Sequence, residues 1–209
     1  MATTRIGVLA LQGAVPEHRR TLLAVGAEPV AVRWPKDLDG LDGLIIPGGE
    51  STTIGDLMQH YGFFPAIERF YRDGGCIYGT CAGMILLATD ILDGKPNQPR
   101  LGLLPMTVRR NGFGRQVDSC EVPLLVPELG EPPILTVFIR APYVEAVGPG
   151  VEVLARYQDK IVMVRAERLL ATAFHPELTE DRRIHRLFLE LCRKARWQQA
   201  GQSTLQASD

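Results

Sequence analysis

Short apolar runs alternate with helix-like segments through the first half of the chain, and the runs end at glycine-bearing turns. Arg5 to Leu11 reads R-I-G-V-L-A-L, the pattern of a strand buried on both faces. Pro16 opens a predicted helix that closes near Gly26, with proline just inside the start and glycine just past the end. Pro29 to Trp34 and Gly43 to Ile46 are the next strand candidates, the latter stopping at Pro47-Gly48-Gly49. Ser51 is a predicted N-cap for a helix reaching about His60. A further helix covers Phe64 to Arg72. Cys76 to Tyr78 is a fourth strand, and Ala82 to Thr89 a helix after a glycine-flanked turn. Repeated β-α-β units specify a parallel sheet with helices on both faces. Ligands in such sheets bind beyond the carboxyl ends of the strands. The loops to watch are therefore Gln12-Gly13, Pro47 to Glu50 and Gly79 to Cys81.

From Arg100 to Arg165 the character changes. Short β-rich pieces (Leu103 to Arg109, Val117 to Leu125, Ile134 to Ile139, Val151 to Arg156, Lys160 to Val164) are divided by proline, glycine and polar residues. They predict an antiparallel or mixed extension of the same core. Leu169 to Phe174 reads as a returning strand. The last helix is expected from Thr179, with Ile184, Leu187, Phe188, Leu191, Cys192 and Ala195 on one face. The expected fold class is α/β, a single domain over residues 1–197, with a polar, disordered tail at 198–209.

Charge narrows the function. The 209 residues carry 23 Lys and Arg against 24 Asp and Glu, a net charge of −1. That balance gives no electrostatic case for nucleic acid or an anionic membrane. The uncharged run from Gly74 to Thr89 is 16 residues with four glycines, short of the roughly 18 that a spanning helix needs. No signal-peptide pattern precedes the first strand. The four cysteines form no Cys-x-x-Cys pair, and the histidines are not spaced as zinc ligands. The expectation is a cytoplasmic protein with reduced thiols, no metal and no cofactor.

Gly79-Thr80-Cys81-Ala82-Gly83 has the form of a nucleophile elbow between a strand and a helix. The plainer alternative is a buried cysteine in a glycine-rich turn. Phe174-His175-Pro176-Glu177 adds a base with an orienter. Residues two apart in extended chain point the same way, and Pro176 biases His175 toward extended geometry. Glu177 is thus placed to accept from His175 Nδ1, leaving Nε2 for Cys81. Alone, the same residues also read as a surface histidine and a capping glutamate. Pro47-Gly48-Gly49-Glu50 supplies backbone N–H groups that can turn toward a bound oxygen. Gly49 and Ala82 are the expected oxyanion-hole donors. The spacing speaks against a phosphate loop, since no lysine stands where one would be required.

These three motifs, in this order, resemble those of class I, triad-type glutamine amidotransferases, whose fold is flavodoxin-like. Leu9 to Val15, Phe113-Gly114-Arg115-Gln116-Val117-Asp118-Ser119 and Phe138-Ile139-Arg140-Ala141-Pro142 resemble more narrowly the glutaminase subunits of pyridoxal 5'-phosphate synthases. The resemblance implies Cys81 as nucleophile, His175 as acid and base, and Glu177 as orienter. It implies L-glutamine held by Gly48, Gly49, Glu50, Arg110, Ile139 and Arg140. It also implies a synthase subunit as partner, in a large hetero-oligomer, receiving the ammonia for vitamin B6 synthesis. Gly112 departs from the serine usual in the family, which predicts a looser loop around Arg110. Two other readings compete. One is a cysteine hydrolase or redox protein of similar fold, and the other a non-catalytic regulatory subunit. Glutamate release distinguishes the glutaminase from both.

Overall fold

The computed structural model describes residues 3–112 and 119–206. In chain order the first half gives β1 (Arg5–Leu9), α1 (Val15–Ala24), β2 (Glu28–Val32), β3 (Gly43–Ile46), α2 (Ser51–His60), α3 (Phe63–Arg72), β4 (Cys76–Thr80), α4 (Ala82–Leu87) and β5 (Ala88–Leu92). The second half gives β6 (Leu104–Arg109), β7 (Ser119–Leu124), β8 (Ile134–Ile139), β9 (Tyr143–Val147), β10 (Glu152–Tyr157), β11 (Lys160–Ala166), β12 (Leu169–Thr172) and α5 (Arg183–Gln206).

The main sheet has the order β2-β1-β3-β4-β12-β11-β9-β6-β5, with β10 paired to β11. From β2 to β12 every pairing is parallel. The residues require this arrangement. Every residue of β3 and β4 is buried, and strands apolar on both faces need helices above and below. Beyond β12 the sheet turns antiparallel through β11, β9 and β6, then parallel again at β5. This is the mixed extension predicted for the middle of the chain. A separate two-stranded sheet, β7 and β8, stands beside it.

Several boundaries differ from the sequence pattern. Ala88–Leu92 is a strand, not the end of the preceding helix; the apolar run from Met84 carries no turn residue to mark the change. β9 escapes notice because only Val144 of it is fully buried. The last helix begins at Arg183, since Pro176–Leu178 form a short 3-10 turn first. It then continues to Gln206, past the point at Gln198 where the pattern predicts a polar tail. Its packed face is Ile184, Phe188, Cys192 and Ala195 as expected, while Leu187 and Leu191 are only half-buried. Full burial of a side chain such as Phe188 contributes about 1.5–3 kcal/mol. No helix among the described residues is long and apolar enough to cross a membrane.

Candidate active site

Three loops at the carboxyl ends of β1, β3 and β4 meet. A Cβ on Gly13, which has a φ of +101°, would overlap the Gly48 carbonyl oxygen. The Gln12 side chain accepts from the Glu50 backbone N–H at 3.0 Å. A Cβ on Gly48 would overlap the His175 ring and lie 3.3 Å from Cys81 Cβ. Glycine is needed at 48 because the His175 ring occupies the space.

Cys81 sits between β4 and α4 with φ 48° and ψ −101°, the strained turn of a nucleophile elbow. Flanking glycines make the turn possible. A Cβ on Gly79 would run into the backbone of Gly83, and one on Gly83 into the Ile46 carbonyl. The Cys81 N–H donates to the Thr172 carbonyl at 2.8 Å, joining the elbow to β12. The thiol lies 3.9 Å from the Ile139 carbonyl oxygen.

His175 follows β12, and its N–H donates to the Val137 carbonyl of β8 at 2.8 Å. Its Nδ1 is 2.8 Å from Glu177 Oε1, both side chains being buried. Burial opposes a charge on the ring, but Cys81 on one side and Glu177 on the other outweigh it and push the imidazole up to about 10. Burial likewise opposes the Glu177 charge, and the neighbouring His18 and His175 hold its carboxyl below the usual range.

A cavity of about 330 Å³ opens over Cys81. Gly49, Glu50, Ala82, Arg110, Ile139, Arg140 and His175 line it, so the sequence-predicted substrate and oxyanion residues converge. Gly48 and Glu177 stand behind that lining. Glu50, not Ser51, caps α2: its carboxylate accepts from Thr52 N at 3.1 Å and Thr53 N at 2.7 Å. A carboxylate reaches two orphan N–H groups and is the stronger acceptor. Burial opposes this charge too, and the Thr53 and Thr52 donors outweigh it, taking Glu50 down to about 2. Ser51 Oγ instead accepts from Gln98 at 3.0 Å.

Arg110 is held by Glu50 at 3.1 Å, Gln98 at 2.9 Å and Thr52 at 3.4 Å. Gly112 itself is tied to its neighbours. Gly112 N–H donates to Ala141 O at 2.9 Å, Lys160 donates to its carbonyl, and a Cβ there would overlap the Tyr143 ring. The absent side chain lets an aromatic ring pack on the backbone. The motif from Phe113 to Asp118 lies outside the described residues; Ser119 begins β7. Sequence reasoning missed Gln98 and Asn111. Gln98 falls in a polar stretch that reads as solvent-exposed loop, and nothing local marks it as buried.

An elbow cysteine, a histidine just beyond the end of the adjacent core strand and a carboxylate behind it, on this sheet, define a triad-type glutamine amidotransferase. The chain belongs to the SNO glutamine amidotransferase family, whose model matches residues 8–194. It is 57% identical over 186 residues to the pyridoxal 5'-phosphate synthase subunit PdxT of Desulforudis audaxviator, spanning 89% of this chain and 97% of that protein. The subunit of the same name from Pelotomaculum thermopropionicum is 56% identical over 191 residues, 91% of this chain and 96% of the relative. A crystal structure described as a glutamine amidotransferase superposes with a TM-score of 0.84 at 52% identity, covering 90% of this chain and 98% of its own. A putative GMP synthase subunit from Thermoplasma acidophilum shares the fold, with a TM-score of 0.67 at 18% identity over 96% of this chain and 99% of that one.

Proposed function

We propose that this chain is the glutaminase of a pyridoxal 5'-phosphate synthase, hydrolysing L-glutamine to L-glutamate and passing the ammonia to a synthase subunit. The observation that carries the chemistry is the His175–Glu177 contact of 2.8 Å beside an elbow cysteine in one cavity. His175 takes the Cys81 thiol proton as the sulfur attacks the side-chain amide carbon, and the carbonyl oxygen takes up negative charge. Gly49 and Ala82 N–H groups stabilise that oxyanion; one such donor is worth roughly 100- to 1,000-fold in rate. His175 protonates the departing ammonia, leaving a thioester on Cys81. The same ring then removes a proton from water, which attacks the thioester and releases glutamate. Glu177 holds the ring in the tautomer that presents Nε2 to the reacting atoms.

Glu50, Arg110, Ile139 and Arg140 bind the amino-acid end of glutamine. A guanidinium fork suits an α-carboxylate, and a carboxylate an α-ammonium. We assign residues 1–197 to one amidotransferase domain and place the protein in the cytoplasm. The test is glutamate release by the wild type and by Cys81→Ala, with and without the synthase subunit. Turnover confined to the wild type supports the reading, and equal release by Cys81→Ala removes the nucleophile assignment.

A further inference from the structure

Behind the triad lies a second polar chain that the reaction does not obviously need. Glu177 uses Oε1 for His175. Its Oε2 is buried without a hydrogen-bond partner, 3.5 Å from His18 Nε2. His18, on α1, has no exposed surface, and its Nδ1 lies 3.0 Å from Nε2 of His185 on α5. His185 is equally enclosed, and its Nδ1 has no partner. Thr80 Oγ1, one residue before the nucleophile, is 3.4 Å from His18 Nε2.

The proton positions follow from these contacts. Burial pulls His18 toward its neutral form and takes His185 down to about 3, so each ring carries one N–H. Two arrangements put a proton between the rings. If His18 Nδ1 donates, its bare Nε2 faces the bare Oε2 of Glu177, and His185 Nδ1–H is a buried donor with no acceptor. If His185 Nε2 donates, His18 Nε2 carries a proton between Thr80 Oγ1 at 3.4 Å and Glu177 Oε2 at 3.5 Å, and the unpartnered His185 Nδ1 is only an acceptor. A buried orphan donor and two opposed lone pairs are both costly. The second arrangement avoids both.

We propose that His18 is a positioning residue for glutamine hydrolysis: its Nε2–H anchors the second carboxylate oxygen of Glu177, and His185 sets the tautomer that makes this possible. His18 touches neither substrate nor nucleophile. It acts by fixing the carboxylate plane, which in turn aims the His175 ring, and a misplacement near 1 Å in such a group can cost about 100-fold in rate. Because the donor is uncharged, Glu177 keeps its full negative charge toward His175.

The inference rests on the triad reading, and its test separates the two. Wild type, His18→Leu and His18→Gln are assayed for glutamate release with the synthase subunit present, after thermal melts confirm folding. Glutamine carries an amide donor near the Nε2 position, whereas leucine carries none. The expected result is a fall in kcat of about 10- to 100-fold for His18→Leu with KM within twofold of wild type, and recovery of most of kcat in His18→Gln. Wild-type kcat in a folded His18→Leu overturns the proposal, as does an equal loss in both variants. Side-chain nitrogen NMR of the unmodified chain gives a second readout, independent of turnover and of whether His18→Leu folds. Protons on Nε2 of both His18 and His185 are expected, and a proton on His18 Nδ1 overturns the assignment. If Cys81→Ala were as active as wild type while these tautomers were observed, the triad reading alone would fall.

Discussion

The backbone N–H of Cys81 donates to the carbonyl of Thr172, three residues before His175, so the segments that carry Cys81 and His175 are joined by a hydrogen bond at the end of the central sheet. The pairing of β4 with β12 continues that register from Leu169↔Ile77 to Thr172↔Thr80. Both groups lie just past the ends of these strands, and the His175 N–H is fixed in turn by the Val137 carbonyl of β8. Glu177, two residues further on, then needs only the short turn through Pro176.

Removal of the sulfur should separate chemistry from folding. Cys81→Ala is expected to abolish glutamate release while retaining the wild-type melting temperature within a few degrees. A glutamine-like electrophile should label Cys81 ahead of the fully buried Cys76 and Cys192 and the half-buried Cys120. Equal labelling of all four in the folded protein would count against an activated elbow.

Gly48→Ala should cripple the enzyme by moving the base. The new methyl would overlap the His175 ring, which is packed and cannot retreat freely. Overpacking of this kind costs about 1–3 kcal/mol of stability, and displacement of the ring lowers kcat by about 100-fold or more. Steady-state kinetics beside a urea titration would check both numbers, and unchanged kcat would show that the ring does not work from this position.

Glu50→Ala should damage two things at once. It removes the α2 cap, worth about 1 kcal/mol, and releases Arg110 from its 3.1 Å partner. KM for glutamine should rise by about tenfold or more, through loss of a charge-assisted contact. A variant with wild-type KM would place the substrate's amino-acid end elsewhere.

Stability should peak near neutral pH. His185 titrates at about 3 in the folded chain against 6.5 unfolded. A depressed value leaves its contribution intact above pH 6.5 and erodes it as pH falls. Between pH 5.5 and 4 the unfolded chain binds one more proton at this site, a loss of about 1.4 kcal/mol per pH unit. His18 and Glu177, also lowered, act in the same direction, Glu177 only below about 4.5. His175 is raised, so its contribution is complete below 6.5 and disappears as pH climbs through about 10. Urea midpoints at pH 7, 6 and 5 should fall in that order, and His185→Leu should flatten the decline.

The loop after β1 should couple the partner to the oxyanion turn. Gln12 holds Glu50 N–H, and Gly13 rests on the Gly48 carbonyl, so a synthase subunit docking on this uncharged loop bears directly on Gly48-Gly49. Glutamate release is expected to rise when the synthase subunit is added and to respond less in Gln12→Ala. Full activity of the lone chain, indifferent to partner and substitution, would exclude this coupling.

The parts of the site legible in the sequence are those with local causes. The elbow needs Gly79 and Gly83 within four residues of each other, and the His175–Glu177 contact needs only extended chain and Pro176. The central parallel strands β3 and β4 show because both faces are buried and their residues are nearly all apolar or glycine. What stayed hidden is long-range. His18 finds its partner 167 residues away, and Tyr78 meets Thr172 across 94. Neither separation leaves a periodic trace. Glu50 displaced Ser51 as the cap because a longer acceptor, already fixed by Gln12 and Arg110, reached the same N–H groups first. At Gly112 the missing side chain admits the Tyr143 ring, a long-range contact that leaves no local sign.

Cys81, Asn111 and Arg140 all have positive φ, at 48°, 48° and 42°, and all three border the same cavity. Such backbone costs on the order of 1–3 kcal/mol at a non-glycine residue. Selection for heat resistance alone would therefore drift toward glycine at positions 111 and 140, stripping the rim of its side chains while the melting temperature rose. A stabilised variant of this protein obtained by screening melts would be expected to arrive with a cavity rim of altered shape and polarity, and a screen that scores activity as well would have to seek its gains in the sheet and leave the rim strained.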